Sequence, residues 1–233
     1  PDNGDLLKSV TLERRSINQT SAWDIIRGVT YEYYTKADGE AAAADYKGGQ
    51  GDLKLVTVAD SAGVAIARTH FRYHKPAADG GPRQLKAVLG PTNYARMRQD
   101  KGDPTNASES EGDLQLYADY WFTYDAEGRV QTQTVQGAGP TRQVGTAMNA
   151  TGTFSYSYAA NPATKIGRNV WVYKTVESQL GLDGSTVLAQ HVVYSNHAGQ
   201  AMLESMRQSE GSAKWPTFYE YDSEGRLLFT AMT

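Results

Sequence analysis

The chain has 233 residues, with 23 Lys and Arg against 26 Asp and Glu, a net charge of −3 and no cysteine. The lack of cysteine excludes disulfide bonds, cysteine-ligated zinc and thiol catalysis within this chain. The balanced charge predicts no binding of nucleic acid, and no apolar stretch approaches the roughly 20 residues that span a bilayer, so no membrane insertion is expected. The 15 Tyr and 23 Gly favour many strands joined by tight turns.

The first third of the chain contains strand candidates rich in aromatic and β-branched residues. Residues 29–34 and 71–74 predict strands, and between them Asp60 and Gly63 stand where a hairpin turn needs them. These features predict a degenerate hairpin repeat over about residues 29–75.

One helix is predicted, over residues 91–99, because Tyr94 and Met97 fall at helical spacing after a Pro-Thr-Asn start. The remaining polar stretches predict loops at residues 36–50, 76–82, 101–112 and 137–152.

Residues 120–130 and 217–227 have almost the same sequence pattern. In each, aromatic and polar residues alternate up to a Tyr-Asp pair, and two further residues lead to Gly, Arg and an aliphatic residue. The Asp side chain can accept a hydrogen bond from the backbone two residues on, and Gly can supply a positive φ. Both segments therefore predict a β-hairpin with one aromatic and one polar face. These two clearest repeats, 117–135 and 215–230, have the motif residues Tyr124, Asp125, Gly128, Arg129, Tyr221, Asp222, Gly225 and Arg226.

Weaker copies of the pattern lie between these segments. Residues 187–207 keep Tyr194, Asn196 and Gly199, with Asn in place of Asp and without the Arg, and residues 153–176 keep the aromatic alternation. A hairpin cannot bury its aromatic face alone, so neighbouring hairpins are expected to share a core. The prediction is one all-β segment over residues 1–233, a continuous twisted or spiralling antiparallel sheet with at most one or two short helices.

The Tyr-Asp-x-x-Gly-Arg-(Leu/Val) motif at Tyr124 and Tyr221 resembles the YD repeat of the Rhs family of large bacterial surface and secreted proteins. The segment around Asn196 is also similar to the repeat regions of very large proteins of planctomycete-type bacteria. The resemblance implies an extracellular or cell-surface protein whose repeats form a β-sheet spiral that can close into a hollow shell. Because the chain starts at Pro1 without Met and ends on a strand-like run, we expect it to be part of a longer polypeptide.

No catalytic, cofactor-binding or metal site is predicted. The chain contains no nucleophile elbow, phosphate loop or dinucleotide fingerprint. His70 and His74 would face one metal on a helix, but the sequence between them predicts a strand. Arg129 and Arg226 could bind anions, although an ion pair with the turn Asp or stacking on a Tyr is the simpler interpretation.

Three functions remain open from the sequence. The first is a non-catalytic scaffold, whose partners would be the rest of its polypeptide or other copies, bound through exposed strand edges. The second is a carbohydrate- or cell-surface-binding module, since Trp121, Trp171 and Trp215 could stack on sugar rings. The third is a hydrolase with a carboxylate pair that the sequence does not identify.

Overall fold

The computed structural model describes residues 6–15, 23–40, 46–76, 83–106, 110–144, 147–163, 167–209 and 212–232, with no side-chain detail at 38 and 139–150. The elements of these ranges are β1 Ser9–Arg14, β2 Asp24–Tyr33, α1 Lys36–Gly39, β3 Leu53–Ala59, β4 Ala65–Tyr73, β5 Leu85–Leu89, α2 Pro91–Asp100, α3 Glu111–Tyr117, β6 Tyr120–Tyr124, β7 Val130–Val144, β8 Ala147–Ala160, β9 Tyr173–Leu180, β10 Val187–Ser195, β11 Ala201–Arg207, β12 Trp215–Tyr221 and β13 Leu227–Met232.

The strands form one 13-stranded sheet in which the spatial order is the order along the chain. The strand pairs of this sheet whose register is described are antiparallel, as expected for consecutive hairpins. The predicted all-β class is therefore confirmed, with α1 a single turn and only α2 and α3 longer. The chain divides into two compact units, residues 1–122 and residues 123–233.

A one-residue register shift recurs near the start of the second strand in many strand pairs. In β3–β4 the pairing passes from Val58 with Ala67 to Ala59 with Ala65, and Ile66 is left over. The same shift leaves out the second residue of the later strand in the pairs β2–β3, β4–β5, β9–β10, β10–β11 and β12–β13. Such β-bulges bend a strand and increase its local twist. The recurrence shows a repeated hairpin geometry even where the sequence motif has decayed.

The buried core of the first unit lies where the two longer helices pack on the sheet. Its buried residues are Leu55, Ala87, Leu89, Tyr94, Met97, Leu114, Tyr117, Ala118 and Trp121. The predicted helix at 91–99 is confirmed as α2, and Pro91 starts it at a position where a missing N–H costs nothing.

The expected loop at 101–112 ends two residues too late, because α3 begins at Glu111. The Ser110 side chain accepts a hydrogen bond from the Asp113 backbone N–H at the start of this helix, which is the arrangement of an N-terminal cap.

The expected loop at 137–152 is wrong, because β7 and β8 continue through most of it as a long hairpin. Gly137 has φ +82°, and the register shifts between Gln136 and Thr141. Gly137, Gly139 and Pro140 are accommodated by that irregularity in the pairing, without ending β7.

In the second unit the register places alternate residues on two distinct faces of the sheet. One face, which we call the groove face, carries Val176 paired with Val192 and Leu203 paired with Phe218. The tyrosine face carries Tyr156, Tyr158, Tyr219 and Tyr221, together with Glu177 and Glu204. The expected aromatic face is present, but the opposite face is apolar as well as polar.

Candidate functional site

Four described turns share the same backbone geometry. In the first of the two clearest repeats, Asp125 Oδ1 accepts hydrogen bonds from the backbone N–H groups of Glu127 and Arg129. The Gly128 N–H donates to the Asp125 carbonyl, and the Asp125 N–H donates to the Arg129 carbonyl. The same four bonds are made around Asp60, Asn196 and Asp222. The turn glycines have φ between +79° and +85° at Gly63, Gly128, Gly199 and Gly225.

Two of these turns carry a charged pair. Arg129 Nε donates to Asp125 Oδ2 at 2.8 Å, and Arg226 Nε donates to Asp222 Oδ2 at 2.6 Å. Each guanidinium also reaches a second acid within its own turn, Glu127 or Glu224, at 3.0 Å. Backbone and side-chain hydrogen bonds from Arg226 hold the pKa of Asp222 below its usual value despite desolvation, which acts in the opposite direction. The arginines therefore close their own turns.

The turn at Asn196 has the same shape with a neutral pair. The Asn196 side chain is 0% exposed, and its Nδ2 donates to the Arg168 carbonyl at 2.7 Å and to Gln200 Oε1 at 3.0 Å. Gln200 stands four residues after Asn196, which is the position of the arginine in the charged turns. An ionised Asp could not make either bond, because a carboxylate only accepts. The two departures from the motif, Asn for Asp and Gln for Arg, therefore form one matched replacement.

Side chains connect this turn to its neighbours, and we call the connected set the turn ladder: residues 167–172, 196–200 and 222–226. Gln200 Nε2 donates to the Gly225 carbonyl at 2.7 Å. Asn169 donates to the Tyr221 carbonyl at 2.8 Å and accepts from the Tyr221 N–H at 2.9 Å. The Gln200 contact spans 25 residues and joins the consecutive hairpins β10–β11 and β12–β13. The Asn169 contacts span 52 residues and join the β8–β9 connection to the β12–β13 hairpin.

A second recurring contact joins adjacent strands, and we call it the tyrosine tie. A tyrosine hydroxyl donates to the carbonyl at the start of the preceding strand in Tyr158 to Val130 at 2.8 Å and Tyr221 to Ala201 at 2.7 Å. In the first unit Tyr33 makes a similar contact at 2.7 Å with the carbonyl of Leu7, two residues before β1. In each case, when the register of the two strands is continued to the residue that supplies the carbonyl, the tyrosine lies one residue beyond the position facing it.

The predicted motif residues do not all occupy equivalent places. Tyr221 lies directly before Asp222, on the tyrosine face. Tyr194 lies two residues before Asn196 and therefore points to the groove face, where its ring meets Trp171 at 5.2 Å in an edge-to-face contact. Equating Tyr194 with Tyr124 and Tyr221 is a misalignment by one residue, and in a strand one residue reverses the face.

The groove face of the second unit holds a depression of about 570 Å³. Val176, Val192, Leu203, Pro216 and Phe218 form its apolar part, and its charged residues are Lys174, Arg207 and Lys214. Among the described residues that line it, none is acidic. Arg207 Nε is buried and has no hydrogen-bond partner among the residues that the structure describes, and Lys174 Nζ lies 5.5 Å from the centre of the Tyr194 ring.

The three tryptophans considered for sugar stacking lie in different surroundings. Trp121 is 8% exposed and belongs to the core of the first unit. Trp171 lines a second depression that shares Tyr194, Leu203 and Phe218 with the groove, and Trp215 is 52% exposed on the tyrosine face. Only Trp171 is close to the groove.

The histidine pair His70 and His74 is placed in a strand, β4, and each ring has its own backbone partner. Arg72 Nε donates to His70 Nε2 at 3.0 Å, so the proton of the neutral ring is on Nδ1, which donates to the Lys54 carbonyl. Burial, together with Arg72, lowers the pKa of His70 to about 3. His74 Nε2 pairs with the Phe122 carbonyl at 2.8 Å. In the part of the chain that the structure describes, no cluster of three or more His, Asp or Glu could hold a metal ion.

Sequence reasoning missed Asn169, Gln200 and Arg207. The only local signal was at Gln200, which stands where the motif has Arg. The other two act through contacts far apart in sequence. No protein-family model matches the chain, and a comparison with curated proteins finds no match either. None of the described helices has the length and hydropathy to cross a membrane.

Proposed function

We propose that this chain is a non-catalytic structural segment of the Rhs/YD-repeat type, which builds an extended β-sheet surface outside a bacterial cell. The observation that carries the proposal is the repetition of one turn, with the same four backbone hydrogen bonds, at Asp60, Asp125, Asn196 and Asp222. The assignment to this family and to the cell exterior rests on the sequence resemblance.

The second unit is held together by contacts between neighbouring strands and turns. Most of its strand residues are only half-buried, so burial of a compact core contributes less here than in the first unit. The turn ladder and the tyrosine ties supply specific contacts between one hairpin and the next. This is the pattern of repeat proteins, in which each unit is stabilised by its neighbours.

Hydrogen exchange measured by mass spectrometry tests the proposal. The variant Gln200→Ala removes the contact with the Gly225 carbonyl, so we expect faster exchange in both adjoining hairpins, at residues 187–207 and at residues 215–232. The matched control is Asp183→Ala, in the turn at residues 181–186, where Asp183 accepts only from Ser185 and Thr186. Exchange should rise only near that turn. If Gln200→Ala also acts only locally, the hairpins are independent and the scaffold proposal fails.

The groove favours a second function, binding of an acidic carbohydrate. Its lining combines three cations with apolar and aromatic side chains, and the sheet's backbone groups are already paired in the ladder. A ligand on this face therefore meets side chains only, which suits hydroxyl and carboxylate groups on a sugar ring. The buried Nε of Arg207 would gain an acceptor on binding.

Titration calorimetry with a polyuronate, compared with a neutral glycan of the same length, tests this second function. We expect saturable binding of the polyuronate only, weakened roughly tenfold in Arg207→Ala, as for loss of a charged hydrogen bond. Arg226→Ala is the control, because it removes an exposed cation outside the groove. Equal losses in the two variants would show non-specific attraction and would exclude a groove site.

A further inference from the structure

The last strand of the sheet order lacks a contact that two earlier strands of the same unit have. Val130 and Ala201 each begin a strand directly after one of the four related turns, and each carbonyl accepts a tyrosine hydroxyl from the next strand. Leu227 begins β13 directly after the Asp222 turn, in the same position. Within the described ranges, no tyrosine hydroxyl bonds the Leu227 carbonyl.

Arg226, the arginine of this turn, also lacks a contact that its counterpart Arg129 makes. Arg129 lies over the ring of Tyr158, with its guanidinium carbon 4.6 Å from the ring centre, and Tyr158 is also the residue that makes the tie to Val130. Arg226 occupies the equivalent position, has no described ring beside it, and its side chain is 75% exposed. A single tyrosine from a further strand would supply both the hydroxyl for the Leu227 carbonyl and the ring beside Arg226.

β13 is also exposed on both faces. Leu227 is 54% exposed, Leu228 64%, Phe229 56% and Met232 80%. A strand edge with apolar side chains on both sides and an unpaired backbone row is a template for another strand.

We propose that the free edge of β13 binds one further antiparallel strand that ends in tyrosine. The tyrosine hydroxyl donates to the Leu227 carbonyl, and its ring packs on the Arg226 guanidinium. The tie geometry at Ala201 fixes the register: the residue before the tyrosine faces Leu227. This proposal rests on the proposed repeat architecture and specifies the chemistry of its partner.

The sequence of β12, Trp215–Tyr221, has the required pattern, with Tyr221 as its last residue. A fluorescein-labelled peptide of this sequence is therefore the probe, titrated against the full chain by fluorescence anisotropy. We expect saturable binding. In a second peptide with Tyr221→Phe we expect roughly three- to tenfold weaker binding, because one hydrogen bond is lost.

A pair of protein variants tests the role of Arg226. Arg226→Gln should weaken binding of the tyrosine peptide several-fold, whereas Arg129→Gln, the same change in the inner turn, should leave it unchanged. Circular dichroism before titration shows that both variants fold. The peptide comparison requires no protein variant, so it decides the proposal even if both unfold.

Absence of saturable binding, or equal affinity of the Tyr and Phe peptides, would overturn the proposal. Concentration-dependent self-association that the peptide does not displace would assign the edge to a second copy and would also overturn it. Neither result affects the exchange test with Gln200→Ala, which concerns the interior of the second unit, so failure of this proposal can be told apart from failure of the scaffold function.

Discussion

Replacing Asn196 by Asp is the most informative single change, because it alters one atom of a 0% exposed side chain. The variant keeps Oδ1 as acceptor for the Ala198 and Gln200 N–H groups but loses the Nδ2 donor. The Arg168 carbonyl and Gln200 Oε1 then lose their partner. Each buried polar group left unsatisfied costs about 1–3 kcal/mol, so the two groups together should lower the stability at pH 7 by about 2–6 kcal/mol.

The same variant should be pH-dependent in a defined direction. Burial raises the pKa of an introduced carboxyl above its unfolded value of about 3.9. A group with a raised pKa in the folded state gives stability that is present at low pH and lost as pH rises through the folded pKa. The difference from the parent chain should therefore be smaller at pH 4 than at pH 7. Hydrogen exchange of the β10 and β11 amides measures it.

Two comparisons make this prediction specific. Asp222→Asn makes the reverse change in a charged turn that is partly open to water and should cost clearly less than Asn196→Asp, because ion pairs near the surface contribute little. The double variant Asn196→Asp with Gln200→Arg should recover part of the loss, since it rebuilds the charged pair. If Asn196→Asp costs no more than Asp222→Asn at pH 7, the matched replacement inferred from the structure is refuted.

Three further changes have clear expected outcomes. The pKa of His70 is lowered to about 3 by burial and Arg72, below its unfolded value of about 6.5, so its contribution to stability is present above pH 6.5 and is lost as pH falls toward 3; β4 amide exchange against pH should show this slope, and His70→Gln should flatten it. Tyr158→Phe removes one tyrosine tie and should lower the free energy of unfolding by about 0.5–1.5 kcal/mol, measured by hydrogen exchange of the β7 amides. Unchanged exchange would show that the hydroxyl does not stabilise the sheet. In Gly199→Ala the added Cβ meets no nearby atom, but the backbone must keep φ +79°. This strain alone should lower the free energy of unfolding by about 1–2 kcal/mol, measured by chemical denaturation. The control Gly28→Ala has the same open space and no positive φ, so it should show no such strain.

The local features of the fold could be predicted from sequence because their interactions are local. The turn bonds at Asp125 and Asp222 span two to four residues, and the strands follow from alternation before and after them. The continuation of β7 and β8 through residues 137–152 could not be predicted, since Gly and Pro there have the composition of a loop. The helix that begins at Glu111 was missed because its seven residues are too few for a helical repeat of apolar residues to be recognised.

The contacts between hairpins could not be predicted because they depend on the fold. Asn169 is 52 residues from Tyr221, and no local pattern marks it as a partner. Tyr194 shows a second limit, since a motif that tolerates a shift by one residue does not fix the face of a strand. Arg207 has neither a motif nor a local partner, and only the register of β10 and β11 places it in the groove.

The two turn chemistries should respond differently to the surrounding medium. The Asp125 and Asp222 pairs are charged and partly open to water, with carboxylate side chains 18% and 15% exposed and arginines more so, and mobile ions screen such pairs increasingly as ionic strength rises. The Asn196 and Gln200 pair is neutral, with Asn196 buried and Gln200 half-buried, so dissolved salt has no charge to screen there. As the salt concentration rises, the contact between the β10–β11 and β12–β13 hairpins should therefore keep its strength while the charged turns weaken. The amide pair makes this connection insensitive to ionic strength.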